Sequence, residues 1–236
     1  MIHLAEQFLM RRVAILCARK GSIYHSVSGA DVYCKRRPAA EYVGCCPVVA
    51  HPPCRRWGRL RQFTKSAGAE SERYLARWCV DQVRHYGGVL EHPAYSTLWA
   101  DCGLPYPGQK SPEGCTIAVP QYWFGHRARK ATWFFVSRLQ LSDIPLMPYR
   151  LEGMDKVGVC DGMATAEREH TPPALANWLV DLAVKSGDRP RYRWNGSEVI
   201  PPRDKVAEWE AAKRAIAIPK VGNRRGVEMI QTALAF

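Results

Sequence analysis

Residues 48–58 read VVAHPPCRRWG, and their interpretation decides the fold. Val48-Val49-Ala50 is a short, β-branched apolar run of the kind that forms a buried strand. It stops at His51-Pro52-Pro53, because two prolines remove ladder donors and fix φ. Cys54 is therefore expected on a stiff turn at a strand end. Ligands of open α/β sheets gather beyond the carboxyl ends of the strands, so a thiol held there and followed by Arg55 and Arg56 is placed for chemistry. Taken alone, Pro-Pro-Cys is no more than a small residue in an irregular loop, and its neighbours along the chain must decide.

Downstream, Ser71 is expected to cap a helix running to about Tyr86. Leu75, Trp78, Cys79, Val83 and Tyr86 share one face of it at three- and four-residue steps. Gly87-Gly88 ends the helix, and Val89-Leu90 leads into Glu91-His92-Pro93. The layout of the thiol turn thus repeats: strand, functional side chain, proline. A strand–helix–strand unit whose strands both deliver such residues at their carboxyl ends is how a doubly wound sheet builds a site.

Upstream, Val13 to Cys17 is a plausible first strand and Asp31-Val32-Tyr33 a second, with the polar ARKGSIYHSVSGA following the first. A parallel crossover needs about a dozen residues or more, normally with a helix. This first unit is therefore severely cut down or not parallel. Thr116–Pro120 and Ala131–Ser137 read as strands flanking QYWFGHRARK, whose Arg127, Arg129 and Lys130 beside Tyr122, Trp123 and Phe124 suit phosphate contact and base stacking. Residues 138–170 look like loop. Thr171 is expected to cap a helix opened by Pro172, with Leu175, Trp178, Leu179 and Leu182 on one face, ending near Gly187. The tail suggests a hairpin at Asn195-Gly196, a helix from Asp204 to about Ile216 and a basic Lys220 to Arg225. The division expected is an α/β domain over 1–186 and a basic extension over 187–236.

The net charge of +12, from 34 Lys plus Arg against 22 Asp plus Glu, favours a polyanionic partner. No apolar run is long enough to span a membrane, and the arginines of MIHLAEQFLMRRVAIL follow its first apolar patch, unlike a secretory signal. Nine cysteines without a C-x-x-C pair argue for reduced thiols in a cytoplasmic protein over a zinc site or disulfide framework.

The order of these pieces resembles the DNA (cytosine-5) methyltransferases, especially short phage-associated members. The likeness runs from about residue 12 to 186 and rests on Pro52-Pro53-Cys54, on Glu91-His92-Pro93 where the family has Glu-Asn-Val, on Gln121 through Arg127 and Arg129 where it has Gln-x-Arg-x-Arg, and on Thr171-Pro172-Pro173-Ala174-Leu175-Ala176, similar to the family's C-terminal Pro-Pro helix. It implies a Rossmann-like methyltransferase-type sheet, reduced in its N-terminal half, because only Gly21 and Gly29 stand where a Gly-rich cofactor loop belongs. It implies that Cys54 adds to C6 of a flipped-out cytosine, that Glu91 hydrogen-bonds the base and supplies a proton at N3, and that Arg127 and Arg129 complete the catalytic set. Pro53, Arg55, Arg56, Gln121 and Lys130 would contact substrate, and Cys17, Asp31 and Pro53 would face the methyl donor, S-adenosylmethionine. The partner is then single- or double-stranded DNA, with no metal. A free thiol has a pKa of about 8.5, and Arg55, Arg56, Arg127 and Arg129 are the cations available to lower it. Only about thirty irregular residues replace the family's target-recognition region, which argues for low sequence specificity. The competing readings are a non-catalytic DNA-binding protein on this scaffold, and a pyrimidine-modifying enzyme with another donor or a free-nucleotide substrate.

Overall fold

The computed structural model describes residues 12–59, 61–63, 69–154, 156–160 and 162–190, together with the backbone of 193–194 and 197–198. Six strands, β1 (Val13–Ala18), β2 (Ala30–Cys34), β3 (Val48–Ala50), β4 (Gly88–Pro93), β5 (Gly114–Pro120) and β6 (Ala131–Ser137), form one mixed sheet in the order β2-β1-β3-β4-β6-β5. The first four are parallel, and β6 runs antiparallel to both β4 and β5. Among the described residues four α-helices accompany them: α1 (Ala69–Tyr86), α2 (Leu98–Cys102), α3 (Thr165–Arg168) and α4 (Pro173–Gly187).

Both faces of the sheet are covered, which is why β1, β3 and the start of β4 are continuous apolar runs rather than alternating ones. Ala14, Leu16, Val48, Ala50 and Leu90 point to one face, where α1 supplies Leu75, Trp78, Cys79 and Val83 and α2 supplies Leu98 and Trp99. Val13, Ile15, Val49 and Val89 point to the other, against Leu175, Leu179 and Leu182 of α4. Ser186 at the end of α4 accepts from the Gly88 amide (2.6 Å) and donates to the Ser137 carbonyl (2.7 Å), tying that helix to β4 and β6.

The β1–β2 connection is parallel and cut down at once: residues 19–29 hold only a 3-10 turn, Ile23–Ser26. The buried Tyr24 of that turn packs with Val13, Ile15 and α4, so the late helix covers sheet that a crossover helix would otherwise cover. Two capping expectations are corrected. Ser71 lies inside α1, which is under way by Ala69, and Pro172 rather than Thr171 occupies the N-cap of α4, without a side-chain cap bond. A two-residue ladder, Arg193–Trp194 with Ser197–Glu198, flanks Asn195-Gly196 as expected. The helix expected over 204–216 and the basic 220–225 lie outside the described residues.

Because β2 and β3 lie on opposite sides of β1, the strand order reverses between β1 and β3. A crevice opens beyond the carboxyl ends at such a switch point.

Candidate active site

The carboxyl ends of β1, β3 and β4 share one rim, and it carries Cys17, His51 to Cys54, and Glu91. β5 ends and β6 begins at the same rim, which adds Gln121 and the segment 127–130. The Cys54 carbonyl accepts from the amides of Trp57 (3.0 Å) and Gly58 (2.8 Å), closing the turn that leaves Cys54 exposed. The buried Trp57 in turn accepts from the amide and hydroxyl of Thr97 at 3.0 and 3.2 Å, so the thiol turn and the loop after β4 are one hydrogen-bonded platform.

Glu91 has both oxygens engaged. His51 Nδ1 lies 2.6 Å from Oε2, and Gln121 Nε2 donates to Oε1 at 2.8 Å and to Thr132 Oγ1 at 3.1 Å. Behind it, His51 Nε2 is 3.0 Å from the Tyr24 hydroxyl. Burial and the charge of Glu91 push the Tyr24 phenol well up. It therefore stays protonated and donates to Nε2, which leaves the Nδ1 proton on the Glu91 side; this tautomer is inferred from the network. Burial alone would raise the Glu91 carboxyl, but the charge of Lys130 and the contact with His51 outweigh it and hold the carboxyl down at about 2. Glu91 is an anion, half-buried among its partners.

Cys54 is pushed the other way. The protein around its Sγ raises the thiol although the residue is exposed, Glu91 and Glu169 raise it further, and a backbone hydrogen bond and the charge of Lys130 lower it. The arginines expected to activate the thiol are not among the groups that weigh most on it. Arg55 is turned to the buried Glu72, Arg127 pairs with Glu167 at 2.7 Å, and Arg129 donates to the carbonyls of Met154 (3.2 Å) and Val157 (2.9 Å). These three fasten loops around the rim, while Arg56 is half-buried on the thiol turn. Lys130 donates to the His170 carbonyl at 3.0 Å and acts on both Cys54 and Glu91.

The residues expected to face a methyl donor are not brought together. Pro53 is at the rim, but Cys17 is buried with Sγ 3.8 Å from Cys79 of α1. Asp31 pairs with Ala14 near the amino end of β1, so it sits away from the crevice, and it is held by Tyr33 at 3.1 Å and by Arg37. The switch point carries the Tyr24–His51 pair instead. These residues do not fit S-adenosylmethionine in the manner the resemblance implies. Among the described residues no group of three or more metal-ligating side chains occurs.

His51, Tyr24 and Thr132 escaped the sequence reading. His51 carried a signal, since it directly follows a strand and precedes two prolines, whereas nothing local marks Tyr24 as its partner. Compared with protein-family models, curated proteins and solved structures, the chain finds no match.

Proposed function

We propose that the chain is a DNA (cytosine-5) methyltransferase-like enzyme that attacks C6 of a pyrimidine with Cys54, on a reduced Rossmann-like methyltransferase sheet. One observation carries this reading: an exposed thiol and a carboxylate held ionised stand at the ends of adjacent parallel strands joined by the α1 crossover. The Cys54 thiolate forms a bond to C6, and the C5–C6 electron pair becomes available at C5 as the ring takes a proton at N3. Ionised Glu91 accepts from the exocyclic amine and relays a proton from solvent to N3, while His51 holds the carboxylate in place. After an electrophile bonds to C5, loss of the C5 and N3 protons and expulsion of the thiolate restore the ring. The base must leave a duplex for this, because its C6 face is covered there. The resemblance names S-adenosylmethionine as the source of that electrophile; no residue is assigned to it.

A donor-free reaction tests the thiol half. The adduct can take a solvent proton at C5 and then collapse, so DNA carrying deuterium at cytosine C5 should lose it in a Cys54-dependent way, read by mass spectrometry of the nucleosides. Retention of deuterium with soluble wild-type protein, together with unmodified bases in DNA from an expressing cell, would sink the reading. Calorimetry with S-adenosylmethionine then decides the donor. The placement of Asp31 favours one rival, a DNA-binding protein that keeps the scaffold without the chemistry, and for that protein no exchange occurs.

A further inference from the structure

Among the described residues five non-glycine positions have positive φ, and three of them, Cys17, Tyr95 and Lys130, lie at the rim that carries Cys54. Backbone strain gathers where function requires a side chain that folding alone would not choose. Tyr95 is the sharpest case. At φ 63 it adopts a conformation that favours glycine, and the chain does use glycine at other such turns, for example Gly103 (φ 62) and Gly125 (φ 98). Yet the residue here is a tyrosine, 81% exposed.

Its surroundings fix it firmly. The Ala94 amide donates to the Ala131 carbonyl (3.0 Å), the Ser96 amide to the Pro93 carbonyl (3.3 Å), and the Thr97 amide to the Trp57 carbonyl of the thiol turn (3.0 Å). One side of the Tyr95 ring leans on Trp133, with centroids 5.1 Å apart at 54°. The remainder faces solvent. An aromatic ring braced from behind, strained into place and open in front is a stacking platform, and exposed basic side chains, Arg55, Arg59, Arg61 and Arg127, stand on the segments that follow the strand ends of the rim.

We propose that Tyr95 stacks on a DNA base adjoining the one that Cys54 attacks, so that the substrate is a base drawn from a polynucleotide and not a free nucleotide. This rests on the reading of Cys54 above and names its substrate class. The test uses full-length protein and a deoxyoligonucleotide carrying 2-aminopurine beside the target cytosine. Wild type should quench the fluorophore on binding, and dCMP should not compete. Tyr95→Phe should behave like wild type. Tyr95→Ala and Tyr95→Gly should lose quenching and bind about 5- to 100-fold more weakly, with Tyr95→Gly melting no lower than wild type because the positive φ is relieved. A merely structural tyrosine would instead show lowered melting with quenching retained. Unchanged binding by Tyr95→Ala, or effective competition by dCMP, overturns the inference even where C5 exchange persists. Absence of exchange in wild type overturns the reading of Cys54 itself.

Discussion

At the scale of single residues, the rim is a set of opposed charges. Glu91 and Lys130 act on the Cys54 thiol with opposite signs. Glu91→Gln should therefore move the midpoint of Cys54 alkylation by iodoacetamide to lower pH, and Lys130→Ala should move it to higher pH, followed peptide by peptide with mass spectrometry. Shifts of equal sign would show that the two do not share a site with the thiol. The same carboxylate makes an acid-sensitive contribution to stability. Its folded pKa of about 2 lies below the unfolded value of about 4.3, so the contribution, up to about 3 kcal/mol, is full above the unfolded pKa and lost as pH falls toward 2. His92 titrates in the window above. Neither ring nitrogen has a hydrogen bond of normal geometry; burial outweighs the upward pull of the Glu91 charge and the nearby Pro53 carbonyl and lowers its pKa to about 4. Neutral in the fold and charged when unfolded, it removes stability as pH drops from about 6.5 to 4. Urea denaturation at pH 7 and pH 4.5 should show a smaller loss for His92→Phe than for wild type, and an equal loss would disprove the assignment.

At the scale of elements, the sequence disclosed the parallel β3–α1–β4 unit because each piece announces itself locally: an apolar run, a face at helical spacing, a pair of glycines. It disclosed less of what depends on pairing between distant residues. Asp31 could be recognised as a strand residue, but only its alignment with Ala14 shows that it stands at the wrong end of β2 to meet the crevice. Gln121 and Glu91 were each legible as strand-end residues, while their hydrogen bond requires β6 to insert between β4 and β5. The glycine pair carries a second meaning. A Cβ on Gly88 would sit 1.9 Å from the Val48 carbonyl oxygen, at φ +130, so β3 and β4 could pair only by moving apart. Gly88→Ala should cost at least about 3 kcal/mol, whereas Gly21→Ala, at φ +74 with nothing within 4 Å, should cost about 1–2 kcal/mol. Urea midpoints at constant m-value measure both. A Gly88→Ala variant as stable as Gly21→Ala would contradict the close approach of the strands.

For the molecule as a whole, a net charge of +12 invites the conclusion that every cation on the rim binds phosphate. The side chains divide otherwise. Lys130 is half-buried, bonded to the His170 carbonyl and directed by its charge at Glu91 and Cys54, which suits a group that tunes the thiol. Arg127 has 77% of its side chain exposed, and it forms an ion pair with the partly exposed Glu167. Counterion release depends on cations that meet phosphates, and each such contact adds about 0.9 to the slope of log K against log[salt] on duplex DNA and about 0.7 on a single strand. Arg127→Ala should therefore flatten the salt dependence of DNA binding by up to one such contact and weaken binding uniformly across sequences. Lys130→Ala should leave the slope unchanged while slowing C5 exchange at neutral pH, since it takes from the thiol a charge that favours its ionised form. Fluorescence anisotropy from about 50 to 200 mM salt, paired with the exchange assay, separates the two roles. A slope that falls for Lys130→Ala and holds for Arg127→Ala would reverse them, moving the phosphate contact to the floor of the rim and leaving Arg127 as a brace for the loop that carries Glu167.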